Sequence, residues 1–394
     1  MMVYIVMLVI ALLLAYYSQR VENKKVAFIL KIGSILPFFL ISAFRYDVGT
    51  DYLYRYSKDY HVICQGGNIT NLEIGFKLLM KLCAFITKEP QILFVITSLL
   101  ITGILGMVVY RYSKKPVLSI FIFFSGCFFF QSMNLVRQFL AMVIILLSYE
   151  LLADKKYKAW VICVIMAFLT HSTSIVVVIA LLLKKKVVAK PMLIIILSIV
   201  ILLGSNLLGN ALNILLEQTR FAVYINSQYD FGDIRYLTTG VNLVAYLMSY
   251  YLYKQMKQKN ERANLYMNIL ALALLCNILG SVTFLFLRIS YYFSIIQIIA
   301  IPYFIVMASK EANYILIPFT KQNVKQKIEK WLEQLKIKKN YIGEKITISC
   351  WNQVILCAII VIMFSTNVIY YNVLHNDDEV LPYKTIFNKE FEIY

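Results

Sequence analysis

The sequence predicts an all-α polytopic membrane protein, and three observations predict it. Sixty per cent (60%) of the residues are hydrophobic and the mean hydropathy is +0.71, whereas soluble domains are roughly 45–50% apolar. The apolar residues recur in runs of roughly 17–22, the length that crosses a bilayer as helix. No stretch shows the alternating, roughly ten-residue pattern of a membrane β-barrel strand. Third, Lys and Arg gather on alternate connections, as they do when one side of the membrane retains them.

The runs place about twelve candidate spans, at residues 2–18, 26–44, 90–110, 116–133, 138–153, 159–170, 173–183, 192–206, 238–253, 264–285, 290–307 and 348–370. The run Met2 to Tyr17 lacks a basic leader and a small-residue cleavage site, so it reads as the first span and not as a signal peptide. The two short runs around His171 are either one broken element or two tilted spans. With the amino terminus outside, 27 of the 39 Lys and Arg residues fall on inner segments, for a net charge of +19 inside and −1 outside. Setting the long segment 309–346 aside leaves 18 basic residues in the short inner loops, against six in the outer connections after residue 90. The formal charge of +18 is thereby explained by topology, and nucleic acid is not expected as a partner.

The remaining segments take their sides from this topology. Residues 45–89 and 207–237 form two larger extracytoplasmic loops, and residues 371–394 form an extracytoplasmic tail. The cytoplasmic segment 309–346 contains Lys325 to Lys339, whose Ile328, Trp331, Leu332, Leu335 and Ile337 share one helical face. That is the pattern of a basic amphipathic helix on the anionic leaflet. The seven cysteines lie mostly inside spans, and only Cys64 reads as an ordinary loop residue. No spacing suggests a zinc or iron–sulfur site, and no disulfide framework is expected. Phosphate-loop, dinucleotide, nucleophile-elbow and zincin motifs are all absent from the sequence, so neither a metal nor a cofactor is expected.

Chemistry concentrates at the outward span ends. Asn134, Arg137 and Gln138 stand between two apolar runs, and His171 stands between two more. A guanidinium at a membrane boundary either snorkels to the interface or has a partner. The same face carries Arg45, Asp47 and Asp51 after the second span, Arg288 with Tyr291 and Tyr292 between the tenth and eleventh spans, and Arg220 and Arg235 in the second large loop. Always-charged planar forks suit bidentate binding of phosphate or carboxylate. Plainer readings accompany each. Arg288 with Tyr291 and Tyr292 fits an interfacial aromatic belt. Thr170, Ser172 and Thr173 offer His171 ordinary hydrogen-bond partners. Asp47 and Asp51 share a face on a helix, or flank a turn at Gly49 and cap the adjoining segment.

The ordered pieces resemble a family. They are Phe44-Arg45-Tyr46-Asp47-Val48-Gly49-Thr50-Asp51-Tyr52, Glu73-Ile74-Gly75-Phe76, Asn134-Leu135-Val136-Arg137-Gln138-Phe139-Leu140-Ala141, Phe168-Leu169-Thr170-His171-Ser172-Thr173 and Arg288-Ile289-Ser290-Tyr291-Tyr292-Phe293, with Pro302 beyond. Together they resemble the EpsG-type family of bacterial exopolysaccharide and capsule membrane proteins, related to Wzy polysaccharide polymerases. The resemblance implies a metal-independent glycosyltransferase with a GT-C-like membrane fold, at the outer face of the bacterial cytoplasmic membrane. Its substrates would be undecaprenyl-diphosphate-linked glycans as donor and acceptor, with flippase and chain-length regulator proteins as companions. A departing diphosphate at that face needs fixed cations, and the residues themselves offer Arg137 and Arg288 first, then Arg45, with Arg220 or Arg235 as loop-borne clamps and Asn134, Gln138, Tyr291 and Tyr292 beside them. His171 is the expected base, or a phosphate ligand when protonated. Asp47 and Asp51 are rival bases, or hold Arg45. A lipid-linked oligosaccharide transporter would place charge near the midplane and show paired halves. A membrane glycan acyltransferase would carry its donor site toward the cytoplasm. The sequence shows neither pattern.

Overall fold

A computed structural model describes residues 1–70, 72–187, 190–217, 235–256, 258–311 and 344–388. All regular elements among them are helical; the one β-like pairing is an isolated bridge between Arg45 and Thr385. In chain order the helices are α1 (Met2–Ser18), α2 (Lys24–Ala43), α3 (Lys58–Cys64), α4 (Ile74–Ile86), α5 (Gln91–Tyr112), α6 (Pro116–Ser125), α7 (Phe128–Asn134) and α8 (Val136–Ala153). They continue with α9 (Tyr157–Thr170), α10 (Ala180–Leu183), α11 (Pro191–Leu203), α12 (Ser205–Leu216), α13 (Tyr236–Gln255), α14 (Glu261–Leu279), α15 (Phe284–Ser294), α16 (Gln297–Glu311) and α17 (Glu344–Val368). Local chemistry sets several starts. The Asn23 side chain accepts from the Lys25 and Val26 amides at α2, and Asn260 caps α14 through Ala263. Pro116 and Pro191 open α6 and α11, where a missing N–H costs nothing.

Five of the described helices are long and apolar enough to cross a membrane, and eight spans result if each bent pair is one span. This is fewer than the twelve expected from hydropathy. Met2–Ser18, Tyr157–Thr170 and Ser172–Leu183 are apolar but shorter. Three apolar stretches are bent pairs: α6 with α7 at 53°, α11 with the start of α12 at 72°, and α15 with α16 at 45°. Arg288, Tyr291 and Tyr292, expected between the tenth and eleventh spans, lie within a helix and not in a connection. Thr283 caps α15, and all three sit inside that helix, before its bend.

Helix α8 is the centre. The buried share of its spanning window is 78%, and that of α14 is 72%, against 28% for α2 and 33% for the last span (Val354–Leu374). Helices α5, α7, α9 and α15 pack around α8, while α13 packs on α14 and α16. Outward faces stay apolar, with Phe28, Ile29, Ile162 and Ile362 exposed, as hydrocarbon permits and water does not.

Residues 45–89, expected as an outer loop, are largely helical. A π-helical turn at Tyr52–Ser57 runs into α3, and α4 comes next. Tyr52 stacks on Phe94 of α5 with ring centroids 4.1 Å apart, and Tyr56, Phe76, Met80 and Val136 complete one apolar cluster. The segment 375–388 folds back across this layer. The Tyr4 hydroxyl donates to the Val380 carbonyl at 3.0 Å, and the Gly49 amide donates to the Glu379 carbonyl at 3.1 Å. Residues 218–234, most of the second expected loop, and 312–343, with the expected amphipathic helix, lie outside the described residues.

The opposite end of the bundle carries a second polar group. Glu150, fully buried near the end of α8, receives the Arg262 guanidinium of α14 at 2.6 Å and the Tyr266 hydroxyl at 2.5 Å. Arg262 also reaches Asp154. This pairing ties α8 to α14 at the end expected to be cytoplasmic.

Candidate functional site: an arginine–histidine cluster at one end of the bundle

The site is built on the break between α7 and α8. Leu135 leaves helical geometry there, so Asn134 ends one helix and Arg137 falls in the first turn of the next. The Arg137 amide, free of an intrahelical acceptor at that position, donates to the Tyr56 hydroxyl at 3.3 Å. Its guanidinium is only 8% exposed and pairs with Glu73 Oε2 at 2.6 Å. Glu73 stands immediately before α4. Its other oxygen, Oε1, accepts from the Ser172 amide at 3.3 Å and the Ser172 hydroxyl at 3.1 Å. Gly75 permits this approach: a Cβ there would sit 2.7 Å from the Leu169 carbonyl oxygen of α9.

His171 ends α9 in extended backbone, at φ −153° and ψ 110°. Its Nδ1 lies 2.9 Å from the Thr173 hydroxyl and 2.9 Å from the Tyr292 hydroxyl, which are 3.0 Å from each other. The two hydroxyls fix the ring through one nitrogen. Burial holds the imidazole well below its ordinary value, down to about 3; the Glu73 carboxylate opposes that, and Arg137, Arg288 and Arg55 add to it. His171 is therefore neutral near pH 7. Burial also works against ionised Glu73, but the Arg137 guanidinium and the hydrogen bond from the Ser172 amide hold the carboxyl below its usual range.

Arg288 approaches from α15. It lies 5.0 Å from the Phe284 ring centre, and no carboxylate pairs with it among the described residues. Gln138 Nε2 donates to the Arg288 carbonyl at 2.7 Å. Two buried polar atoms here, Arg288 Nε and Gln138 Oε1, have no hydrogen-bond partner among the described residues. Buried polar atoms are nearly always paired, so these two retain capacity for a polar partner.

A second group adjoins the first. Asn134 Nδ2 donates to both the Asp378 carboxylate and the Asp378 carbonyl at 2.9 Å, and Asn134 Oδ1 accepts from the Thr50 amide at 2.8 Å. Burial pushes the Asp378 carboxyl up to about 6, against the Asn134 hydrogen bond and Arg235. Arg235 lies 5.3 Å over the Tyr371 ring, and its charge is felt at buried Tyr291. Tyr291 and Tyr292, neighbours on α15, thus serve the two groups separately. Both are buried (6% and 0% exposed), where an interfacial belt would leave them open.

The expected residues separate on this geometry. Arg137, Gln138, His171, Arg288 and Tyr292 converge, with Asn134, Tyr291 and Arg235 alongside. Arg45 is 1% exposed, bonded to the Ser42 and Met133 carbonyls and stacked 4.7 Å over Phe94. Asp47 does not hold Arg45: it sits at φ 49° and pairs with Lys384 at 3.1 Å. The Asp51 carbonyl accepts from the Tyr56 amide at 3.0 Å and starts the π-helical turn; Asp47 and Asp51 flank a turn and do not share a helical face. Arg220 lies outside the described residues. Sequence reasoning did not select Glu73, Tyr56 or Asp378 as site residues. Glu73 lies in one of the pieces that carry the resemblance and was the one of the three with a signal. Among the described residues no His, Cys, Asp and Glu group is arranged to hold a metal.

The fold and this cluster define a class: a helical, membrane-embedded protein with a buried arginine–histidine site at one end of its bundle. The model of the EpsG family matches residues 28–320, and the chain belongs to that family, whose members are membrane proteins of polysaccharide synthesis. No curated protein and no solved structure matches the chain.

Proposed function

We propose that this protein is a polysaccharide polymerase. It joins oligosaccharide repeat units carried on undecaprenyl diphosphate, at the outer face of the bacterial cytoplasmic membrane, with its amino terminus outside. The observation that carries the reading is a histidine fixed by the Thr173 and Tyr292 hydroxyls beside Arg137 and Arg288, the latter with no carboxylate partner among the described residues. In the reaction an acceptor hydroxyl on one lipid-linked unit attacks the anomeric carbon of the glycan on a second. The bond from that carbon to the diphosphate oxygen breaks, and the lipid diphosphate leaves with the bonding electron pair. Negative charge grows on the leaving diphosphate, so fixed cations there favour the transition state over the ground state.

Arg288 supplies that charge. Arg137 adds to it through the N–H groups that Glu73 does not use, and Gln138 Oε1 takes a sugar hydroxyl. His171 uses Nδ1 for its two hydroxyl partners and Nε2 to accept the acceptor proton. Ionised Glu73 stabilises the imidazolium that results. Arg235, with Asn134 and Tyr291, flanks the approach of the second substrate, and Arg220 belongs to the same loop. Arg45, Asp47 and Asp51 serve as framework.

The test is a glycan ladder from cells carrying Arg288→Ala, Arg137→Ala or His171→Ala protein at wild-type abundance. Single repeat units on lipid carrier at the outer face, with long chains gone, is the expected result. Normal chain length in all three strains would sink the site. Units trapped at the inner face would point to a lost transporter instead.

A further inference from the structure

A groove of about 400 Å³ lies between the segment around His171 and α15. Its walls are Phe168, Ile175, Val176, Leu285 and Ile289, and it shares Ser172 and Thr173 with the site. Those two residues have two faces. The Ser172 hydroxyl is taken by Glu73 and the Thr173 hydroxyl by His171 and Tyr292. What remains of them toward the groove is carbon. One short turn is thus the wall of the polar cluster and the floor of an apolar slot. Ile289, on the opposite wall, is the residue directly after Arg288. Phe168 and Ile175 are 41% and 48% exposed, so the slot opens on the apolar outer surface of the bundle. Its volume falls within the roughly 300–1,000 Å³ of ordinary ligand pockets.

We infer that this groove seats the first isoprene units of a long-chain polyprenyl diphosphate whose headgroup lies against Arg288. This inference rests on the polymerase reading and names where its lipid goes. Inside a bilayer an apolar slot gains little by hydrophobicity, because lipid tails are as apolar as Leu. Its use is positional. A chain held beside Ile289 brings the diphosphate to the unpaired Arg288 Nε and sets the anomeric carbon within reach of His171. An uncharged or zwitterionic lipid has nothing to place against that guanidinium, so the charge at one end selects an anionic head.

The experiment uses the full-length protein in phosphatidylethanolamine–phosphatidylglycerol vesicles with a diazirine-bearing polyprenyl diphosphate. Photolabel is expected on peptides holding Phe168, Ile175, Val176, Leu285 and Ile289. Excess unlabelled polyprenyl diphosphate should compete at least tenfold better than the corresponding polyprenol. Ile289→Trp, which fills the slot, should cut labelling about fivefold, Ile289→Val should leave it near wild type, and Arg288→Ala should abolish the preference for diphosphate over polyprenol. Equal labelling by diazirine phosphatidylglycerol without competition by the diphosphate would overturn the proposal and make the slot an ordinary lipid contact. Label confined to other helices would overturn it too, and this reading needs no variant to fold. Specific labelling together with an unchanged glycan ladder in site mutants would leave the lipid seat standing while removing the polymerase function.

Discussion

His171 carries the site's clearest pH signature. Its ordinary value of 6.5 falls to about 3 in the fold, chiefly through burial. An unfolded chain therefore takes up a proton between these values that the folded chain refuses, and stability falls as pH drops through that window. Thermal unfolding in detergent should show Tm falling between about pH 6.5 and pH 4, and His171→Asn should lose part of that slope. For the same reason wild-type polymerisation should show no acid limb near pH 6.5 of the kind an exposed histidine base gives. Arg288→Lys should retain less than about a tenth of the activity, because a point charge replaces a planar fork. Arg137 and His171 were legible as polar residues flanked by apolar runs. Glu73 was not selected, because one acid before an amphipathic helix reads as solvated, and its partner lies 64 residues away. Asp378 was still less legible, since its value to the site comes from a neighbour 244 residues distant.

At the level of elements, the site depends on how closely helices approach. Gly75 faces the Leu169 backbone, so Gly75→Ala pushes α4 off α9 and draws Glu73 away from Ser172. The expected cost is about 1–3 kcal/mol, read as a lower Tm, with polymer lost even at temperatures where the protein stays folded. Gly49 holds a φ of +100°, and a Cβ there would collide with Asn134 Oδ1. Gly49→Ala should therefore strain the turn and dislodge Asn134 together. The apolar, helical character was legible because hydropathy integrates over many residues, though only five of the described helices are long and apolar enough to cross a membrane. Bends were not: apolar residues continue through the α6–α7 and α15–α16 breaks, and a hydropathy run has no term for direction. The π-helical turn at Tyr52–Ser57 and α3 escaped notice because their apolar face is shared with Phe94 and Val136 of other elements, a match that no single segment reveals.

Across the whole molecule, the two polar ends differ in kind. At the end expected to be cytoplasmic, Glu150, Arg262, Tyr266 and Asp154 satisfy one another. Arg262→Ala leaves the Glu150 carboxylate buried and without its cation, at a cost of about 3–5 kcal/mol. A parallel Arg262→Met with Glu150→Leu pair should recover most of the lost Tm. The site end instead holds unpaired atoms beside a slot open on the apolar outer surface. The charge bias between alternate connections was legible from counting alone; which residues meet at each end was not, since that depends on packing around α8. The clasp formed by residues 375–388 has a bearing on the order of synthesis. Tyr4 meets Val380, Gly49 meets Glu379 and Asn134 meets Asp378, so each of these bonds forms only after a partner made much later in the chain has emerged. A nascent or prematurely ended chain can insert its helices yet lacks the finished cluster. Chains stopped after His375 should be inserted and inactive, and supplying the missing segment as a separate peptide should restore long glycan. The Asn134 side of the cluster is therefore finished only once residues 375–388 are in place, however early its helices insert.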